Sequence, residues 1–328
     1  MSVYTGRLSV APMMDWTDRH FRFFARQFTK RTLLYTEMVT AQAVVFGNAE
    51  KLLSFSLPEK PLILQLGGSS PDLLGKACQI AQSFDYDGIN LNAGCPSERV
   101  SAGNFGAALR QNPALIADCL QAIKENSRVP VSLKTRIALE EMTPDSDGYD
   151  DLCRLAELVK PLTTDWIVHA RKARLKGLTP KQNRERLPLN YDLVYRFKRD
   201  FPDLTVSING NIDSLDAALR HLRHVDGVMI GRAAYANPAL LAEADNMIYG
   251  ESSSPVSPAD AVLQMRPYIE EQLTKGVRLN VITRHMLGIF KGCAGAAAWR
   301  RTLTENAVLP DADFKVVAQA LKSVIPIN

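Results

Sequence analysis

Short apolar runs that close on a polar residue or a glycine recur along the chain. They read LSVAPM (8–13), LLYTEM (33–38), LILQL (62–66), GINLN (88–92), VSLKT (131–135), WIVHA (166–170), TVSIN (205–209) and GVMIG (227–231). None shows the strict polar alternation of a sheet wetted on one face. Strands buried on both faces read this way, which predicts a parallel sheet covered by helices. Segments of helical period lie between them, such as 71–84 and 113–126. Eight strand signals with intervening helices fit a (β/α)8 barrel, which usually takes ~250 residues. An open doubly wound sheet shares this periodicity, but eight repeats without a compositional break favour the barrel.

After the eighth run the pattern changes. GESSSPVSP (250–258) is a Ser/Pro-rich connector that ends in a helix start, with Ser257 as N-cap, Pro258 in the first turn and Asp260 behind it. Helices are expected around 258–275, 279–291, 294–306 and 311–324, with Pro267 kinking or splitting the first and Gly276 stopping it. The expected division is a barrel domain over 1–250 and a small all-helical domain over 251–328.

Length agrees, since 328 residues suit two domains or one large domain with an appendage. With 46% hydrophobic and 23% charged residues the chain reads as soluble and globular, which excludes a disordered chain, a disulfide-stapled miniprotein and a collagen-like fibre. A net charge of +4 is too mild for an indiscriminate nucleic-acid coat, so any basic surface must be local. No apolar run approaches the ~18–20 residues that span a bilayer, and MSVYTGRLSV shows no signal-peptide pattern. Cys78, Cys95, Cys119, Cys153 and Cys293 form no CxxC pair. Reduced thiols in a cytoplasmic protein are expected, with neither a disulfide framework nor a metal site.

In barrels the polar residues at the C-terminal ends of strands line the active site. Here all eight runs deliver polar groups or glycine to that rim: Pro12-Met13-Met14, Glu37, Gln65, Asn90 and Asn92 followed by Gly94-Cys95-Pro96, Lys134 and Arg136, His169 and Arg171, Asn209-Gly210-Asn211, and Gly231-Arg232. Each alone has a structural explanation, such as a satisfied core amide or a tight turn; their coincidence at one rim does not. Glycines and an arginine after strands 7 and 8 stand where barrels commonly hold a phosphoryl group. Neither GxGxxG nor GxxxxGK[ST] occurs, which disfavours a Rossmann site and a P-loop. A phosphate there, with Lys134, Gln65 and a Met-containing first turn, would suit flavin mononucleotide (FMN).

APMMDWTDRHFR (11–22), NLNAGCPSERV (90–100), SLKTR (132–136), VHAR (168–171), INGN (208–211) and MIGRAAYANP (229–238) resemble the tRNA-dihydrouridine synthase family. YTEM (35–38), LKGLTPKQNRERLPL (175–189) and AWRRTL (298–303) are similar to its A subfamily, and the likeness covers essentially the whole chain. The resemblance implies an FMN enzyme that reduces uridine to 5,6-dihydrouridine at D-loop positions 20 and 20a of tRNA, with NADPH as reductant. It makes Pro12, Met13, Met14, Gln65, Lys134, His169, Asn209, Gly210, Asn211, Gly231 and Arg232 the flavin contacts and Cys95 the proton donor. It also implies that Lys181, Arg184 and Arg300 orient the tRNA; a further tail arginine of the subfamily is replaced here by Ala297.

The chemistry is consistent with those residues. Reducing the uracil C5–C6 bond needs a hydride at C6 from reduced flavin and a proton at C5 from a positioned acid. Cys95, between Gly94 and Pro96, is expected to be exposed and stiffly held, and a thiol with an ordinary pKa of ~8.5 is protonated at neutral pH. The other four cysteines read as helical packing residues. The base must leave its stack to enter a barrel mouth, and Asn92 and Lys134 are placed to read its edge. Residues 171–186 carry seven basic side chains against the single acid Glu185, and after strand 6 they must lie on the catalytic rim as a phosphate clamp. Arg300 and Arg301, with Lys291 and Arg284, are expected to add a second basic surface, while Trp299 reads as core. A monomer suffices for this reading. Its rivals are a flavin barrel acting on a small free pyrimidine or enone, a lyase using Lys134 as a Schiff base, and a non-catalytic RNA-binding module.

Overall fold

A computed structural model of the protein describes residues 6–97, 100 and 103–324. Glu98 and Arg99 of the NLNAGCPSERV segment lie outside these residues, as do the first five and last four. Eight strands form one parallel sheet: β1 (Leu8–Val10), β2 (Leu34–Thr40), β3 (Leu62–Gly67), β4 (Gly88–Ala93), β5 (Val131–Arg136), β6 (Asp165–His169), β7 (Thr205–Asn209) and β8 (Gly227–Ile230). Their order is β1-β8-β7-β6-β5-β4-β3-β2. The gap between β1 and β2 is bridged at Leu33, whose carbonyl accepts from Val10 N at 2.9 Å and whose N–H donates to Leu8 O at 3.0 Å. The sheet thus closes into the expected barrel, and each strand overlaps its predicted run, β2 continuing two residues past it to Thr40.

β1 stops earlier than its apolar run. Ala11 N still bonds Ile230 O at 2.8 Å, but Pro12 has no N–H, and Met13 N turns to the Thr17 hydroxyl at 2.9 Å. The loop from Pro12 to Asp18 therefore lies on the rim. Inside the barrel Ala11, Leu33, Tyr35, Ile63, Ile167 and Met229 pack into a layer, with Met13 against it. The pore thus has a packed floor. A second, larger core lies under the surrounding helices and continues into the tail through Tyr268, Met286 and Trp299.

The helix starts are local chemistry. Ser70 and Asn112 cap helices Pro71–Ala81 and Pro113–Glu125, each with proline in the first turn. Ser257 caps Pro258–Gln264 as expected, and the chain breaks at Met265 before Arg266–Thr274, which carries Pro267 in its first turn. The helices Ala296–Asn306 and Phe314–Lys322 follow.

The tail departs from expectation in one stretch. The helix expected over 279–291 ends at Thr283, and turns follow to the start of Ala296–Asn306. Gly292 adopts φ +88° there, a left-handed conformation that interrupts helical continuity. Cys293, expected in a helix among apolar neighbours, is an exposed residue of this turn. Cys78 and Cys119 are buried in helices, and Cys153 is half-buried in another. Among the described residues no helix is long and apolar enough to cross a membrane.

The tail is fastened to the catalytic rim. Asp18 caps helix Arg19–Ala25 through His20 N and Phe21 N, and its carboxylate also receives Arg284 Nη2 at 2.5 Å and His285 Nε2 at 3.0 Å. His20 Nδ1 lies 2.8 Å from the Tyr268 hydroxyl beside this junction.

Candidate active site

Successive pore-facing positions on neighbouring strands stand level, because side chains alternate along a strand. β3–β4 register pairs Gln65 with Asn90, and β4–β5 register pairs Asn92 with Lys134. The amides join into a ladder rising toward the rim. Asn90 Nδ2 donates to Ser132 Oγ, Gln65 Nε2 donates to Asn90 Oδ1, and Asn92 Nδ2 donates to Gln65 Oε1, each at 2.8 Å. Asn92 Oδ1 accepts Gly94 N at 3.1 Å and Cys95 N at 3.0 Å. The structure thus commits the Asn92 oxygen to the cysteine loop, with one amide hydrogen left over from these partners.

The loop is also held from other directions. Arg136 Nε donates to Gly94 O at 3.0 Å and its Nη1 to Lys172 O at 2.7 Å. Ala107 N donates to Cys95 O at 2.9 Å. This approach requires glycine at 106, where φ is +64° and a Cβ would stand 2.6 Å from the Cys95 oxygen. Cys95 itself is half-buried.

Positive groups gather around it. Lys134 Nζ reaches Asn209 Oδ1 at 3.4 Å, and Asn209 Nδ2 is anchored on Met229 O at 2.8 Å. Burial, reinforced by the charge of Arg136 and opposed by Cys95, lowers Lys134 to about 8. Burial likewise brings Arg136 down to about 10 against the attraction of Cys95. Burial, then Arg136, Lys134, Arg171 and Arg184, keeps His169 well below its ordinary value and so uncharged at neutral pH. His169 Nδ1, Arg171 Nη1 and Arg184 Nε are buried without a hydrogen-bond partner. Nine buried side-chain atoms of the described residues lack a partner, and these three share β6 and the loop after it, where a ligand at the rim would supply them.

The other expected residues fall on the same rim, with one exception. Pro12 and Met13 are half-buried after β1, and Met14 is exposed. A Cβ on Gly231 would stand 3.8 Å from Met13 Sδ, so β1 and β8 meet at the mouth. Gly210 and Asn211 follow β7 with φ of +131° and +53°, and the Tyr191 hydroxyl donates to Gly210 O at 2.6 Å. Arg232 lies 3.4 Å from Glu185. Lys181 and Arg184 sit on helix Pro180–Glu185, whose loop is folded around buried Asn183, which receives Arg174 N and donates to the Arg174 and Leu178 carbonyls. Arg171 and Lys172 spend donors on neighbouring carbonyls, Arg171 on Leu187 and Lys172 on Thr143 and Ser146. The exception is Arg300, which is exposed on helix Ala296–Asn306, a tail element whose buried side is Ala296, Trp299 and Leu303.

The sequence puts Arg136 on the rim without a role; its spacing of two from Lys134 is the available signal. Glu37 is in the same position. Asp15 N donates to its carboxylate, and burial, with Asp18 and Asp15 nearby, raises its pKa.

Eight parallel strands closed into a barrel, with a cysteine on an anchored loop among cations at the carboxyl-terminal rim, define a barrel enzyme. The chain belongs to the dihydrouridine synthase family, whose profile, described as "Dihydrouridine synthase (Dus)", matches residues 9–325. It is 50% identical over 321 residues to a tRNA-dihydrouridine(20/20a) synthase of Haemophilus ducreyi, covering 98% of both chains. Its identity to the protein of that name from Escherichia coli K12 is 51% over 323 residues, covering 98% of this chain and 92% of that one. For the Synechocystis protein it is 49%, covering 96% and 94%. Among solved structures, morphinone reductase in complex with tetrahydroNAD aligns with a TM-score of 0.51 at 14% identity, covering 78% of this chain and 90% of that one. The old yellow enzyme homologue of Zymomonas mobilis aligns at 0.53 and 13%, covering 76% and 90%. These two likenesses speak for the barrel alone.

Proposed function

We propose that this protein reduces the C5–C6 double bond of uridines 20 and 20a in tRNA, with FMN as cofactor and NADPH as reductant. The observation that carries the reading is the anchored Cys95 loop at the mouth of the barrel, with Lys134, Arg136 and Arg184 close enough for their charges to bear on its thiol. The relatives' shared name, at about half identity over nearly the whole chain, supports the reaction and the two positions.

The residues fit a flavin nucleotide. His169 Nδ1 and the unpartnered arginine nitrogens are polar atoms that an electron-rich ring edge and a phosphate would satisfy. Lys134 and Asn209 stand beside them, and Gly210, Asn211 and Arg232 offer backbone and charge for the phosphate. When bound, FMN supplies the hydride for C6.

The chain's own part is the proton. Cys95 S–H is the donor to C5, and the positive groups around it stabilise the negative sulfur that remains. Asn92 and Arg136 hold the peptide from which that side chain leaves the backbone. The exposed Arg174, Lys176, Lys181 and Arg186, with Arg184, form the phosphate-binding part of the β6 loop, and residues 251–328 with Arg300 contribute a second RNA-facing surface.

Two measurements test this. The purified protein should absorb in the near-ultraviolet and blue, and with NADPH it should convert uridines 20 and 20a of tRNA while leaving free uridine nearly untouched. A colourless protein, or one as active on free uridine as on tRNA, would overturn the reading.

A further inference from the structure

Of the three tryptophans, Trp166 and Trp299 are buried, at 1% and 0% exposure, whereas Trp16 is 36% exposed. Trp16 belongs to the rim loop that follows β1, where its backbone N–H donates to Met13 O at 3.1 Å. One face of its indole is stacked on Tyr235, with centroids 4.6 Å apart and planes 9° from parallel. Tyr235 lies in the short helix that follows Gly231, and it is braced in turn by Phe21 and His285. The platform is thus rigid, and it stands where β1 and β8 meet at the mouth. Met14, 56% exposed, adjoins it in the chain.

Trp16 and Met14 leave apolar surface exposed on a rim otherwise rich in charge. Arg232 begins the Tyr235 helix, and Arg284, ion-paired with Asp18, is close enough for its charge to bear on Tyr235 together with that of Asp18. Aromatic planes set among cations suit an unpaired nucleobase, whose π-face stacks while its phosphates meet the charges. Resting on the reaction proposed above, the site faces a further geometric demand. Positions 20 and 20a are neighbours along the RNA, and the single Cys95 serves one uracil at a time. Whichever base is outside the pore is one nucleotide from it.

We infer that Trp16, backed by Tyr235, is a stacking platform that holds the base adjoining the target uridine while that uridine occupies the pore. Trp16 is then a specificity-determining residue that helps to set the register between 20 and 20a.

The test uses the holoenzyme and tRNA carrying uridine at both positions, together with a transcript that is abasic beside a single target uridine. Base–aromatic stacking corresponds to about 5- to 150-fold in affinity. Trp16→Ala should raise KM for tRNA within that range, leave kcat within about threefold and change the ratio of product at 20 and 20a. Trp16→Phe should restore most of the KM. The abasic transcript should carry the same penalty with wild-type protein and none further with Trp16→Ala, a comparison that holds even for a poorly folding variant because wild type reports it alone. An unchanged KM and product ratio in Trp16→Ala, or an abasic penalty absent in wild type, overturns the inference while wild-type turnover still upholds the reaction. Absence of dihydrouridine with wild-type protein removes the reaction and this inference together.

Discussion

Asn92 and Arg136 grip opposite ends of one peptide unit. The Cys95 N–H donates to Asn92 Oδ1 at 3.0 Å, and the Gly94 carbonyl of the same peptide accepts from Arg136 Nε at 3.0 Å. A trans peptide is planar, so fixing both polar ends fixes the direction from which the Cys95 side chain leaves the backbone. The Cys95 side chain, the acid of the proposed reaction, is therefore aimed by residues from two strands, β4 and β5.

Cys95→Ala should keep bound flavin and NADPH oxidation while dihydrouridine formation falls by roughly 10²–10⁴-fold. Wild-type product formation in that variant would remove Cys95 from the mechanism.

Arg136→Gln releases one end of the gripped peptide. A misplacement of about 1 Å costs roughly 10²-fold in kcat, with little change in KM for tRNA. Because Arg136 acts through Cys95, the same substitution made on top of Cys95→Ala should add almost nothing. Single-turnover rates of the four proteins give the comparison, and fully additive losses would show that Arg136 acts independently of the thiol.

Arg184→Ala should weaken tRNA binding and lower the slope of log affinity against log salt by about 0.7–0.9, the share of one phosphate. Titrations over a range of salt concentrations measure this, and an unchanged slope would separate Arg184 from the RNA backbone.

Lys134 sits at about 8 in the folded protein because burial disfavours its charge and Arg136 adds to that effect. Its unfolded value is ~10.4, so between the two the unfolded chain binds more protons and stability rises with pH. Relative to Lys134→Met, flavin-free wild type should gain up to about 3 kcal/mol from pH 7 to 10.5. Urea melts at several pH values would reveal it; a constant difference between the two proteins would contradict the buried charge.

Asp18 carries the junction between the rim and the tail. Burial by itself raises its pKa, but the hydrogen bond and charge of His285, the Phe21 N–H and Arg284 outweigh this and hold it below the usual carboxylate range. Its contribution is present above ~4 and is lost as pH falls further. Asparagine caps a helix as well as aspartate does. The loss in Asp18→Asn, about 1.5–3 kcal/mol at pH 7, therefore reports the charge and should shrink below pH 4. Denaturation of both proteins at pH 7 and pH 3 checks this, and equal losses at the two values would refute it.

Much of this molecule was legible from its residues in order. The eight β-branched or leucine-rich runs mark the eight strands, because a strand covered on both faces carries its burial in its own residues. Ser257, Pro258 and Pro267 mark where tail helices start and break through chemistry confined to a turn or two. The rim residues were also legible, since a strand's C-terminal end shows in the sequence once the barrel is recognised.

Pairing was not legible. Arg136 meets Gly94 across 42 residues and Arg284 meets Asp18 across 266, and no periodicity signals either contact. The turns after Thr283 also escaped, because apolar spacing there continues while Gly292 leaves the helical conformation. By itself the sequence determined the strands, the rim inventory and the one cysteine followed by proline, Cys95 in NLNAGCPSERV. Barrel closure and strand register alone decided which donors face which acceptors, that His169, Arg171 and Arg184 each keep a buried nitrogen without a partner, and that Trp16 lies against Tyr235. The physical reason is that burial is encoded locally, whereas a hydrogen bond or a stack needs two groups that only the closed sheet brings together.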